Sequence, residues 1–344
     1  MLSAKITFDS KKVVQTLLGV LPTRAKDIIK KRYGLGNDVQ KMTLEAIGTE
    51  YGITRERVRQ IENFSLHHIR KSKVFEEIRG VFVELKELMK KYGGIVQEKD
   101  FFNHISTDKK TQNHINFFLT LGEEFKRIKE DDDFEHRWSV DPIAEEMVHK
   151  ALNSLHKKLN EHDLVSQTEI VLKFLEEIHA TDKEFQDKEM IMRWLNLSKR
   201  IGKNSLGEWG IAKSPNIKTR GIRDFAYLVI RKNGSPMHFT EVAIQIKKVF
   251  GKKAHVATCH NELIKDSRFV LVGRGLYALK EWGYSKGTVK DIIKAIIEKY
   301  GPQTKEEIVK RVMRERYVKE NTIMVNLQSS KLFARDSEGK YMSL

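Results

Sequence analysis

The sequence predicts a mainly α-helical protein with small β-hairpin wings, in which a helix-turn-helix is followed by tandem winged-helix modules. Two observations carry this reading. The stretch Thr43–Arg70 has complete helix-turn-helix punctuation, and a helix-and-hairpin unit recurs down the rest of the chain; the net charge of +16 bears on partners and not on the fold.

In TLEAIGTEYGITRERVRQIENFSLHHIR, Leu44, Ile47 and Tyr51 recur at helical spacing, which gives the first helix one apolar side and a supporting role. Gly52 supplies the turn, because a residue without Cβ takes φ > 0 at little cost. Thr54 is placed to cap the second helix, its hydroxyl accepting from an orphan N–H. On that helix Arg55, Glu56, Arg59 and Gln60 fall within a sector of about 140° at the helical period. Val58, Ile61 and Ile69 gather on the other side, facing the first helix. The outward sector suits base edges: Arg matches guanine O6/N7, Gln matches adenine N6/N7, and Glu accepts from cytosine N4. Double-stranded DNA is the expected partner, with Thr54–Arg70 in its major groove and Thr54, Arg55, Glu56, Arg59 and Gln60 as contact residues.

Beyond this head the chain reads as four copies of one module, each a set of helices closed by a short hairpin. Trp138, Trp209, Tyr277 and Tyr341 stand in the last strands, spaced 71, 68 and 64 residues apart. A near-fixed period with the same terminal aromatic marks a repeated unit, and the aromatic is expected to pack each wing on its helices. The expected boundaries are 1–79 for the helix-turn-helix, then 80–141, 142–219, 220–285 and 286–344. In the third copy Thr240 is the expected cap of the second helix, and the wing turns at Gly273–Gly275. In the fourth, Thr304 and Glu307 form a capping box and the wing turns at Ser337–Gly339. Ser166 and Glu169 form a similar box in the second.

Charge is spread unevenly: the five segments carry +7, −3, 0, +7 and +5. A basic chain of pI about 9.6 favours a polyanionic partner, and the distribution places nucleic-acid contacts at the two ends. Lys247, Lys248, Lys252 and Lys253 lie near the end of the second helix of the third copy and suit phosphates, which give affinity without sequence choice, with plainly solvated lysines as the alternative. Arg274 and Arg335, at the third and fourth wings, suit a minor groove or a phosphate, with a merely exposed basic turn as the alternative. Lys310, Arg311, Arg314 and Arg316 read as another basic helix surface. Asp131, Asp132, Asp133 and Glu135 read instead as a solvated wing tip that repels DNA.

The stretch Thr23–Arg70, with TRAKDIIKKRYGL followed by TLEAIGTEYGITRERVRQIE, closely resembles the fourth conserved region of housekeeping sigma factors of bacterial RNA polymerase. The resemblance implies reading of the promoter −35 element in the major groove and docking on the flap of the polymerase β subunit. It places Arg55, Glu56, Arg59 and Gln60 at bases and adjacent phosphates. Two departures stand out. The basic end of the family helix is here Asn63, Phe64, His67 and His68, and no sigma-type domain for opening the −10 element stands ahead of Thr23, so the chain is not expected to act as a complete sigma factor. Residues 221–284 resemble the HARE helix-turn-helix family, which includes the N-terminal domain of the polymerase delta subunit. The resemblance rests on Phe225–Ile230, Pro236–Ile246 and the wing Phe269–Leu279, and it implies DNA or polymerase binding without catalysis.

No apolar run approaches the roughly 18 residues of a membrane helix, and MLSAKITFDSKK lacks a signal-peptide core. A single cysteine, Cys259, fits a reducing compartment, so a cytoplasmic location is expected, with no membrane partner. His255, Cys259 and His260 fall within six positions, but a structural zinc site wants four ligands, and no metal or other cofactor is expected. The sequence holds no P-loop, no HExxH and no nucleophile with recognisable partners, so the chain is not expected to be an enzyme. The expected function is sequence-specific regulation of transcription at or with bacterial RNA polymerase. The alternatives are a delta-like polymerase-associated factor and the DNA-recognition subunit of a restriction or repair system.

Overall fold

Caps set most helix boundaries in the computed structural model, which describes residues 6–178, 187–329 and 332–344. The first unit, up to Lys213, opens with α1 (Ser10–Gly19), capped by Asp9, and α2 (Thr23–Tyr33), closed by Gly34 at φ 63°. Then come α3 (Leu44–Tyr51), α4 (Arg55–Arg70), α5 (Lys73–Glu77) and α6 (Arg79–Lys91). A strand β1 (Ile95–Gln97) leads into α7 (Glu98–Ile105) and α8 (Lys109–Leu121), followed by β2 (Lys126–Ile128) and β3 (Arg137–Ser139). The unit ends with α9 (Pro142–Lys158), α10 (Gln167–Ile178), α11 (Lys188–Leu195), β4 (Ile201–Lys203) and β5 (Trp209–Ile211).

The second unit begins at Ser214. It contains α12 (Ile222–Asn233), β6 (Met237–His238), α13 (Phe239–Phe250), α14 (Val256–Lys265), β7 (Phe269–Gly273) and β8 (Leu276–Leu279). After these come α15 (Val289–Tyr300), α16 (Lys305–Glu315), α17 (Glu320–Leu327), β9 (Phe333–Arg335) and β10 (Tyr341–Ser343). The fold is mainly α with small antiparallel sheets.

The four sheets share one plan. In each, the aromatic-bearing last strand lies between its hairpin partner and a short segment from between two helices. Trp138 pairs with Arg127 on β2 and Val96 on β1; Tyr277 pairs with Leu271 on β7 and Met237 on β6. Trp209 pairs with Lys203 and bridges Val165, and Tyr341 pairs with Arg335 and bridges Gln303. All four rings are buried, at 4% exposure or less. Each ring therefore ties a hairpin to the helices beside it, as the spacing predicts. The extra strand or bridge escaped the sequence reading because segments of one to three residues show no period-2 pattern.

The core does not stop at residue 79. One apolar cluster joins Val14, Leu17, Leu18 and Ile69 to Phe82, Phe101, Phe117, Phe118 and Trp138. A second gathers Ile95 with residues of α9–α11 and Trp209, and α15–α17 enclose a third around Ile293, Ile308, Val312 and Tyr341.

Three local expectations are corrected. The cap of α13 is His238, whose ring accepts from the Thr240 N–H, so Thr240 lies inside the first turn. Arg316 is 3% exposed and donates to the Glu315, Ser285 and Gly287 carbonyls, so it leaves the basic surface that Lys310 and Arg314 keep. The acidic turn is not a free tip. Arg137 holds Asp131 at 3.0 Å, Arg200 holds Asp133, Lys199 holds Glu130, and Glu135 N–H donates to the Leu197 carbonyl at 2.9 Å. The Thr304–Glu307 box forms reciprocally, and Ser166 accepts from the Glu169 N–H at 3.2 Å.

Candidate nucleic-acid interface

Three residues fix the angle between α3 and α4. Thr43 caps α3 by accepting from the Ala46 N–H at 3.1 Å, and Thr54 caps α4 by accepting from the Arg57 N–H at 3.1 Å. Between them Gly52 takes φ 63°, where side chains are strained. The turn packs against Gly48, where a Cβ would meet the Ile53 carbonyl oxygen at 2.7 Å. Ile28, Ile47 and Val58 form the small core behind this turn, with Leu44, Tyr51, Ile53 and Ile61 packed around it.

Hydrogen bonds brace α4 against α2. Glu62, 9% exposed, accepts from the Tyr33 hydroxyl at 2.9 Å and from Arg32 Nε at 3.3 Å. Burial first, and then the neighbouring Glu62, push the Tyr33 phenol well above its ordinary value, so it stays a donor. On the outer side Lys31 pairs with Glu50 and Asp27, and Asp27 also receives the Tyr51 hydroxyl.

With that frame fixed, Thr54, Arg55, Glu56, Arg59 and Gln60 are all exposed on the first half of α4. Arg59 clasps Glu56 through Nε at 2.8 Å and Nη2 at 2.6 Å. The clasp holds the Glu56 carboxyl below its ordinary range and raises the guanidinium. It is an exposed i,i+3 pair, weakly stabilising.

Arg57 was missed by the sector argument. It is exposed and donates to Gln60 Oε1 at 3.1 Å. It also lines a groove of about 510 Å³ with Pro22, Arg24, Ala25, Gln60, Ile61 and Phe64. Phe64 is 62% exposed and stacks on His68, with ring centroids 5.9 Å apart.

The second half of α4 departs from the expected insertion of Thr54–Arg70. Ser65, Leu66 and Ile69 are buried, and Arg70 donates to the Leu121 and Thr120 carbonyls, each at 2.8 Å. Arg70 therefore caps the end of α8 and is not part of the exposed face.

In the second unit Lys247 and Lys248 occupy the last turn of α13, and Lys252 and Lys253 follow Gly251 on the way to α14. All four are exposed, as is Arg274 in the β7–β8 turn. Of His255, Cys259 and His260, the first is exposed and the other two are drawn into packing. Cys259 is buried and its thiol is pushed up to about 11 by burial, while His260 stacks on Phe239 at 4.2 Å. Among the described residues no group of three or more His, Cys, Asp or Glu side chains is placed to hold a metal ion, and no helix is long and apolar enough to cross a membrane.

Comparison with known proteins places a family on this geometry. Residues 17–71 match the family model of sigma-70, region 4. The segment is 44% identical over 62 residues to the RNA polymerase sigma factor RpoD of Helicobacter pylori, covering 18% of this chain and 9% of that protein. It is 47% identical over 55 residues to the RNA polymerase principal sigma factor HrdD of Streptomyces coelicolor, covering 16% of each. It is 42% identical over 57 residues to the RNA polymerase sigma factor SigA of Microcystis aeruginosa, covering 17% of this chain and 14% of that protein. The chain thus spans a sixth or less of the length of these relatives. The likeness lies in the segment that carries α2, α3 and α4: residues 17–71 have the sequence and the helix-turn-helix of a sigma-70 region 4 DNA-binding domain.

Proposed function

We propose that this protein is a sequence-specific DNA-binding regulator of transcription that acts at or with bacterial RNA polymerase. The first half of α4 enters the major groove of a −35-like element, and Arg55, Glu56, Arg59 and Gln60 read base edges there. The observation that carries this reading is their joint exposure on a helix capped by Thr54 and braced from behind by Glu62, within a segment matching region 4. The groove beside Phe64, between α2 and α4, offers the apolar seat through which the head docks on the polymerase, with the β flap as its partner.

The other modules support the head without catalysing a reaction. Exposed Lys247, Lys248, Lys252, Lys253 and Arg274 contact phosphates in the manner of a HARE-type winged helix, adding affinity without sequence choice.

Selection from random duplex oligonucleotides with the full chain tests the proposal. Recovery of a −35-like hexamer is the expected result, with Arg59→Ala relaxing one base position. Recovery of no motif, or equal loss on all sequences from Arg59→Ala, overturns base reading. Co-purification with polymerase in the absence of any motif favours a delta-like factor instead.

A further inference from the structure

A cationic patch lies where the helix-turn-helix meets the segment that follows it. Residues 34–42 link α2 to α3 and are clamped onto α8. Asn113, 1% exposed, donates from Nδ2 to the Gly34 carbonyl at 3.1 Å and the Val39 carbonyl at 2.8 Å. Met42 is held at both ends of its backbone, its N–H on the Lys31 carbonyl and its carbonyl by Arg32. Lys41 is therefore fixed between two anchored residues, two positions before Thr43, the cap of α3. Lys109 opens α8 four residues before Asn113, so it shares the face that grips this loop.

The charges around Lys41 are mostly of its own sign. Arg127 on β2 lies over the Trp138 ring and is clasped by Glu98 at 3.0 and 3.2 Å. Lys41 and Lys109 are both exposed and, among the described residues, neither pairs with a carboxylate. Desolvation first, with the attraction of Glu98 opposed by the smaller fields of Lys109, Arg127 and Arg32, pulls the Lys41 ammonium down to about 8. Lys41 and Lys109 thus stand on neighbouring segments held together by Asn113, without a carboxylate in contact among the described residues.

We propose that Lys41 and Lys109, backed by Arg127, form a phosphate-binding saddle that carries the DNA backbone from the helix-turn-helix onto the α8–β2 face. The inference rests on the DNA-binding reading above and extends its footprint to a part of the chain outside the matched segment. The position fits the docking of such motifs, whose first helix crosses the backbone while the second enters the groove. The N-terminus of α3 adds orphan N–H groups and a positive dipole beside Lys41.

The test compares the salt dependence of duplex affinity for the full chain and for the Lys41→Gln/Lys109→Gln double variant. Each lost phosphate contact lowers the slope of log K against log salt by about 0.9. The double variant should therefore show a slope shallower by about 1.8. Between 50 and 200 mM salt the wild type should lose about twelvefold more affinity than the variant. Preference for the selected sequence over random duplex should not change. The Lys41→Arg/Lys109→Arg variant keeps both charges and should keep the wild-type slope, which separates charge from folding.

An unchanged slope in the glutamine variant, or a shallower slope in the arginine variant as well, overturns the saddle. Failure of the parent reading looks different. If the wild type binds duplex DNA with no preferred sequence, base reading falls while the slope comparison on any duplex still decides the saddle. If it binds no DNA at all, both fall.

Discussion

From Arg55 to Gln60 the side chains of α4 reach solvent, with Val58 alone buried; from Ser65 to Arg70 three of six residues are buried and Arg70 is bonded to α8. The two halves belong to one uninterrupted helix of 16 residues. What separates them is their neighbours. The first half emerges beyond the α2–α3 platform, while the second shares an apolar core with residues of α1, α6 and α8, among them Leu17, Phe82 and Phe117. The rear half thus anchors the helix in a body larger than a bare helix-turn-helix, and the front half is held out by it. Substitutions behind should therefore change stability without changing sequence preference, and substitutions in front should do the reverse.

The largest effect is expected from Ile69→Ala. Its side chain is fully buried, and truncating such an isoleucine costs about 2–5 kcal/mol, transfer and cavity together. Urea unfolding should show the loss, and the motif recovered from selection should stay the same. Gly48→Ala follows. A methyl there meets the Ile53 carbonyl oxygen at 2.7 Å, a backbone atom that cannot rotate away. Overpacking of this kind costs roughly 1–3 kcal/mol, offset in part by the nearly 1 kcal/mol helix preference of Ala over Gly. A net stabilisation would show that the α3–α4 turn is looser than its geometry implies. Arg70→Ala removes two charge-assisted bonds from the end of α8 and should cost about 1–3 kcal/mol, again with unchanged base preference. A selective change in the recovered motif would return Arg70 to the groove.

Local chemistry explains which of these features were readable beforehand. Thr54, Gly52 and the Thr304–Glu307 box act within four residues of themselves, and each was legible from its neighbours in sequence. The buried aromatics Trp138, Trp209, Tyr277 and Tyr341 were legible because a repeat discloses them. Contacts between distant segments were not. The acids at 131–135 look solvated until Lys199 and Arg200 arrive more than 60 residues later. Arg316 looks exposed until the Ser285 and Gly287 carbonyls close on it. The rear of α4 failed for the same reason, since its apolar residues at helical spacing disclose burial but not the partner. The nearness of Lys41 to Lys109 depends on Asn113, a polar residue that nothing in the sequence marks as buried. At α13 the cap expected at Thr240 is taken by His238 two residues earlier, whose ring fills the role that hydroxyls more often take.

Two smaller substitutions sharpen the contrast within the front half itself. Thr54→Ala should cost about 1 kcal/mol of stability through the lost cap on the Arg57 N–H, and should weaken binding through fraying of the turn that carries Arg55 and Glu56. Arg59→Ala should leave the urea unfolding midpoint essentially unchanged, because its only described partner is the exposed carboxylate of Glu56. Its effect belongs to recognition, where the loss of one bidentate contact relaxes discrimination at a single base pair by about 1–3 kcal/mol. The same change frees Glu56 from its clasp, so selection with the variant should also alter the choice made by Glu56 at the adjacent position. A double-mutant cycle with Glu56→Gln measures that coupling directly. Additive effects on the two base positions would mean that the clasp seen in the free protein has no part in reading DNA.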